Sequence, residues 1–202
     1  MYLKRKIDNE LDEWLNGDSN KPALVVGIRQ CGKTKTIEEL ARRNKKNLFK
    51  LNFWDNPVFC HDFDGQLDVD NIILNISLRN PQIEINPKNT ILFFDEIQEC
   101  PRARLAFKNF AMDGRYKVIG SGSYLGINGY VVGDSTPIPV GYEEIFEMKT
   151  MDFEEFLWAN GFNAKHIETG AIINIFLILI RPLHIIILAL NLLNDLKPKA
   201  IL

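Results

Sequence analysis

The stretch Gly27-Ile28-Arg29-Gln30-Cys31-Gly32-Lys33-Thr34 fits G-x-x-x-x-G-K-[ST] at every position. Its flanks fit too. Ala23 to Ile28 is a short apolar run ending in the glycine-rich turn, and Thr34 to Asn44 reads as a helix with charged residues on one side. Strand, loop and helix in that order make an anion cradle. The glycines let the backbone wrap so that N–H groups point inward, and the helix that follows adds its positive N-terminal end. In such a loop Lys33 is expected at the β- and γ-phosphates of a nucleotide as a point charge, and the Thr34 hydroxyl at Mg²⁺. The candidate nucleotide-binding residues are therefore Gly27, Ile28, Arg29, Gln30, Cys31, Gly32, Lys33, Thr34 and Lys35.

A second element supplies carboxylates. Ile91-Leu92-Phe93-Phe94-Asp95-Glu96 is an apolar run that delivers two acids at its C-terminal end, which is where ligands bind in open α/β sheets. Asp95 is placed to hold Mg²⁺ together with Thr34. Glu96 is the candidate that orients and polarises the attacking water, because γ-phosphate hydrolysis needs an in-line nucleophile and little covalent help. A third element, Lys117-Val118-Ile119-Gly120-Ser121-Gly122-Ser123, reads as a strand from Tyr116 to Ile119 closing on small residues. Its hydroxyls could face the γ-phosphate, with Ser121 the first choice and Ser123 the second; a small-residue turn with no nucleotide contact is the other reading. The catalytic candidates are Glu96, Lys33 and Ser121.

Ile7, Leu11, Trp14 and Leu15 recur at helical spacing and predict an amphipathic first helix ending near Gly17-Asp18. Leu48 to Trp54 reads as a second strand, Val69 to Arg79 as a helix, and Thr90 to Phe94 as a strand buried on both faces. Pro101 opens a further helix where its missing N–H costs nothing. Gly126 to Gly141 reads as a turn-rich insertion and Glu144 to Met151 as a fifth strand. Asp152, with Glu155 three residues on, starts a last helix. Alternating strands and helices predict an α/β layer with a mostly parallel sheet. The 202 residues suit one domain, and a formal net charge of −2 lacks the basic excess of an overall nucleic-acid binder. Cys31, Cys60 and Cys100 make no disulfide framework or zinc site and suit a reducing cytosol, which is the expected location. His61, His166 and His184 have no metal-ligand spacing, and Asp62-Phe63-Asp64-Gly65 reads as a turn.

Taken together, GIRQCGKT, FFDEIQ, GSGSYLG and PVGYEEIFEMKTMDFEEFL resemble prokaryotic AAA+-type P-loop ATPases, from about Tyr2 to Gly161. The resemblance implies a three-layer P-loop fold with five strands ordered 5-1-4-3-2, ATP and Mg²⁺ as ligands, and hydrolysis that drives or regulates a partner. It implies Lys33 and Thr34 at phosphate and magnesium, Asp95 at magnesium, Glu96 as catalytic acid, Ser121 as sensor and Arg29 as the P-loop arginine. Relatives often carry Gly-Arg before the fifth strand, where this chain has Gly141-Tyr142. Family members normally continue into a helical lid and a second domain, which this sequence replaces with another composition. Arg102, Arg104 and Arg115 are candidates for an arginine supplied in trans, or are solvated helix charges.

Nineteen of the last forty residues are Ile or Leu. The expectation is an ATPase domain over residues 1–161 and an atypical hydrophobic tail over 162–202, a truncated or frame-shifted remnant. A buried hairpin turning at Arg181-Pro182 and a membrane span over Ala171 to Leu193 are the alternatives, the span being opposed by its central arginine. A rival to the enzyme is a nucleotide-binding switch with little turnover. A GTPase is disfavoured because no Asn-Lys-x-Asp motif occurs, and no acceptor-site signature supports a small-molecule kinase. A homo-oligomer and a protein or DNA partner both stay open.

Overall fold

The computed structural model describes residues 2–123 and 141–162. The insertion expected over Gly126 to Gly141, save its last residue, and the tail from Asn163 lie outside the described residues, as do His166 and His184. The chain divides into two units, Met1–Glu155 and Phe156–Leu202. Of the second unit, residues 156–162 are described.

In the first unit the elements follow in the order α1 (Ile7–Asn16), β1 (Ala23–Gly27), α2 (Lys33–Arg43), β2 (Asn47–Asn52), α3 (Val69–Arg79), β3 (Thr90–Asp95), α4 (Pro101–Leu105), α5 (Phe107–Asp113), β4 (Lys117–Ser123), β5 (Glu144–Glu147) and the start of α6 (Phe153–Ala159). The strands form one sheet ordered β2-β3-β4-β1-β5, which is the order 5-1-4-3-2 read from its other edge. Every neighbouring pair is parallel. Connections through helices make this arrangement natural, since parallel neighbours need a crossover.

Strand periodicity divides the core in two. On one face Leu24, Val26, Phe49, Leu51, Leu92, Phe94 and Val118 pack against α3, α4 and α5. On the other Ala23, Val25, Ile91, Phe93 and Ile119 pack against Leu11, Trp14 and Leu15 of α1 and Ile37 and Leu40 of α2. Helix α1 is tied to α2 by charge as well. Arg43 donates through Nε to Asp12 at 2.8 Å and its Nη1 lies 3.2 Å from Asp8. Asp68 caps α3 by accepting from the Asn71 N–H at 3.0 Å, which explains its start at Val69. Asp152 and Glu155 cap α6 reciprocally, each carboxylate accepting the other's backbone N–H at 2.9 and 3.1 Å.

Three elements differ from the reading of the sequence, the first being β5, which spans Glu144–Glu147 and stops short of the expected Met151. Strand β4 runs on through Gly120-Ser121-Gly122-Ser123, which pair with Leu24 to Gly27 of β1. Close packing explains the glycine at 120: a Cβ there would meet Phe107 Cζ at 3.0 Å and Ile97 Cδ1 at 3.2 Å. The Asp62–Gly65 turn is preceded by a 3-10 helix over Pro57–Phe63 that includes its first two residues. Burial of Phe63 against Phe53 and Phe94, at ring distances of 5.8 and 5.2 Å, holds that segment to the sheet.

Phe94 is the hub of this aromatic cluster, also meeting Phe107 and Phe110 at 6.2 and 6.0 Å. Phe94→Ala is expected to lower the unfolding free energy by about 3–5 kcal/mol in urea titrations, the cost of a large core cavity. A loss below about 1 kcal/mol would show that the cluster does not pack as described.

Candidate functional site

Loop geometry at the end of β1 depends on two glycines and one strained residue. A Cβ at Gly27 would run into the Met148 carbonyl oxygen, because the Met148 N–H donates to the Val26 carbonyl at 2.7 Å and brings that segment against the loop. Gly32 has φ of +104° and begins α2, its carbonyl accepting the first helical bond from the Thr36 N–H at 2.9 Å. Gln30 takes φ of +63° without being glycine. These turns wrap the loop around Lys33. The Lys33 ammonium donates to the carbonyls of Gly27 at 3.1 Å and Ile28 at 2.8 Å, so the charge sits inside the loop rather than in solvent.

Asp95 ends β3 on the same face as Ile91 and Phe93, the face that α2 covers. Its carboxylate is 2% exposed, accepts hydrogen bonds from three side chains and is paired with one ammonium. Ser121 Oγ donates to Oδ1 at 2.5 Å and Thr34 Oγ1 to the same oxygen at 3.1 Å. Asn52 Nδ2 donates to Oδ2 at 3.3 Å, and Lys50 Nζ lies 3.1 Å from it. Strands β2, β3 and β4 and the first turn of α2 therefore meet on one carboxylate. A hydroxyl and a carboxylate side by side are hard oxygen donors of the kind Mg²⁺ takes with one or two protein ligands, so Thr34 and Asp95 fit that ion.

Glu96 follows with φ of +54° and ψ of +50°, a conformation that costs a non-glycine residue about 1–3 kcal/mol and clusters at functional sites. That turn separates its side chain from the Asp95 direction. Gln98 Nε2 donates to Glu96 Oε2 at 2.6 Å, and the Glu96 N–H points at Ser121 Oγ at 3.4 Å. Arg29 is exposed on the rim, its guanidinium 5.6 Å from the Trp54 ring centre. Arg29, Gln30, Thr34, Lys50, Asn52, Trp54, Asp55, Asp95 and Glu96 line one open pocket.

Cys31, Gly32 and Lys35 line a second pocket with Tyr2, Leu3, Arg5, Met148 and Met151. Lys35 is engaged there with Glu38 at 2.8 Å. The Lys35 ammonium holds the Glu38 carboxyl below its usual range, and Lys50 adds to the effect. Burial, together with the Asp8 carboxylate that accepts a hydrogen bond from its hydroxyl at 2.6 Å, pushes the Tyr2 phenol upward.

Several residues of the site went unremarked in the sequence. Lys50 and Asn52 looked like ordinary strand polars, yet the β2–β3 register sets Asn52 opposite Asp95 and Lys50 opposite Phe93. A lysine inside NLFKLN was the available signal. Arg5, which stands in no motif, is buried and donates to the Cys31 carbonyl at 2.8 Å and the Lys149 carbonyl at 2.7 Å. Its Nε lies 3.1 Å from Glu155 Oε2, close enough for an ion pair though off the line of an N–H hydrogen bond. The three arginines considered for action in trans are engaged within the chain. Arg104 is paired with Glu143 at 2.6 Å, Arg102 donates to the Phe63 and Gly65 carbonyls, and Arg115 pairs with Asp113 and Asp70.

The profile of the AAA domain family matches residues 19–157, which takes in the loop, β3 with its two acids, and β4. The chain belongs to the AAA domain family of P-loop ATPases. Nucleotide binding comes with that membership. Among solved structures, the Walker-type ATPase of Pyrococcus abyssi is similar at 12% identity with a TM-score of 0.47, over 81% of this chain. The chain spans 60% of the length of that structure. A comparison with curated protein sequences gives no match.

Ser121 is fully buried and its hydroxyl serves Asp95 and the Glu96 N–H together. Ser121→Ala is expected to destabilise the protein by about 1–3 kcal/mol in chemical denaturation, the cost of leaving buried polar groups short of a partner. Unchanged stability would mean that water replaces the hydroxyl and that the hydrogen bonds of Ser121 are dispensable.

Proposed function

We propose that this chain binds ATP with magnesium and hydrolyses the γ-phosphate, using the nucleotide cycle to drive or regulate a partner. The convergence of Thr34 and Ser121 on Asp95, one residue before the turned-out Glu96, carries this reading. Bound magnesium would neutralise charge on the phosphate oxygens, held by the Thr34 hydroxyl and Asp95. Lys33 would exchange the Gly27 and Ile28 carbonyls for phosphate oxygens, and the loop N–H groups would take the remaining negative charge. Glu96 would align a water for in-line attack and accept its proton, with Gln98 fixing the carboxylate. Ser121 would couple the two acids and sense the γ-phosphate from β4. In this reading residues 1–161 carry the ATPase domain and residues 162–202 are a hydrophobic segment outside it. The partner is protein or DNA, a second copy of the chain included, and the setting is a reducing cytoplasm that keeps Cys31, Cys60 and Cys100 as thiols.

Lys33→Ala is expected to weaken ATP binding at least about tenfold in calorimetry, or about 1.4 kcal/mol, because Lys33 supplies charge that backbone contacts cannot replace. Equal affinity of the two proteins would overturn the phosphate-loop assignment.

The alternative, a nucleotide-held switch with little turnover, is favoured by one observation: Gln98 already occupies one Glu96 oxygen at 2.6 Å. Glu96→Gln separates the two. For an ATPase the substitution should keep ATP binding and reduce phosphate release by about 10²-fold or more, the lower end of what a positioned general base contributes. Equal turnover in both proteins removes Glu96 from the mechanism, and none in either leaves the switch.

A further inference from the structure

Lys50 reaches the site from an unusual place. Along β2, Phe49 and Leu51 face the aromatic core, so strand alternation turns Lys50 to the α2 face, beside Asp95 and within reach of the helix that carries Thr34. Its ammonium lies 5.6 Å from the Phe93 ring centre and stands between two acids, 3.1 Å from Asp95 Oδ2 and 3.4 Å from Glu38 Oε1. Asp95 is buried, whereas Glu38 is partly exposed on α2, one turn after Thr34. Glu38 is held in place from its other oxygen, Oε2, by Lys35 at 2.8 Å. The ammonium can therefore pass from one acid to the other by a small swing of a flexible side chain.

We propose that Lys50 is the resident counter-cation of Asp95 and yields that carboxylate to the incoming divalent cation by moving onto Glu38, so that the Lys50–Glu38 pair sets the magnesium affinity of the nucleotide site. This rests on the reading of Asp95 as the magnesium carboxylate. Two cations cannot share Asp95 Oδ2 without strong repulsion at such short range, and a buried carboxylate left with no cation is costly. Lys50 resolves both conditions: it neutralises Asp95 before the metal arrives, and Glu38 receives it afterwards. Lys33 remains the phosphate ligand, because it is Lys33 that lies inside the loop.

The test is the Mg²⁺ dependence of binding a fluorescent, non-hydrolysable ATP analogue, which needs no turnover. Lys50→Met should lower the Mg²⁺ midpoint by about threefold or more, because the competing charge is gone. Glu38→Gln should raise it by about threefold or more, because Lys50 then stays on Asp95. In the double variant the Glu38→Gln effect should vanish. Simple additivity of the two shifts would mean that each charge acts independently through space, and would overturn the exchange. In EDTA, without nucleotide, Lys50→Met should also melt at a lower temperature than the parent, since Asp95 loses its cation. An unchanged midpoint in Lys50→Met sinks the proposal, and so does weaker analogue binding at saturating Mg²⁺, which would make Lys50 a phosphate ligand. Should Lys50→Met not fold, the Glu38→Gln midpoint decides alone. Failure of the parent protein to bind the analogue at any Mg²⁺ concentration would remove the nucleotide site and this inference together, and is distinguishable from a parent that binds with variants that do not shift.

Discussion

The Asp95 carboxylate is where the separate parts of the first unit are made to agree. It is almost fully buried, and burying a charge is tolerated only when the charge is paired and hydrogen-bonded. Its four partners come from three elements of the chain: Lys50 and Asn52 on β2, Ser121 on β4 and Thr34 on α2. Each can arrive only if strand order, register and the start of α2 are all correct. An error of one residue in β2 would turn Lys50 and Asn52 to the other face, because the side-chain period of a strand is two. The same demand that satisfies the carboxylate therefore selects the fold and gathers hard oxygen ligands at one point.

Around that point the chain approaches itself closely. The segment after β5 runs against Gly27, where a side chain would strike the Met148 carbonyl. Arg5 closes the arrangement from the N-terminus by holding the Cys31 carbonyl of the loop, the Lys149 carbonyl after β5 and Glu155 at the start of α6. A loop whose backbone must present N–H groups to an anion needs its carbonyls turned away and satisfied elsewhere. Arg5 satisfies one of them, and Lys33 satisfies two more at Gly27 and Ile28. The chemistry of the loop thus extends to residues distant in sequence that have no phosphate-binding pattern of their own.

The residues of the loop and of β3 were legible because their patterns are local. GIRQCGKT carries its own geometry, with glycines where the backbone turns and a helix start behind it. ILFFDE is continuous in hydrophobicity because the strand is buried on both faces, and its acids stand at the strand end. Helix α3 was legible over its whole length, whereas its cap, Asp68, emerged only in the structure. Strand β4 was read short, since glycines and serines carry little strand propensity. Pairing with β1 overrides that weak preference, and only in the sheet does Gly120 show why it must be small. Among the described residues no helix is long and apolar enough to cross a membrane, and the segment over which a span was weighed lies outside them.

By itself the sequence determined the class of fold, the glycine-rich loop after β1 and the two adjacent acids where β3 ends, because each is written in a contiguous run whose periodicity and residue types act over a few neighbours. Only the tertiary structure decided which further side chains join them. Lys50, Asn52, Gln98 and Arg5 take part through strand register, a positive-φ turn at Glu96 and a buried contact spanning the chain from Arg5 to Glu155. Those relations depend on distances between residues far apart in sequence, and no local pattern of side chains encodes such a distance.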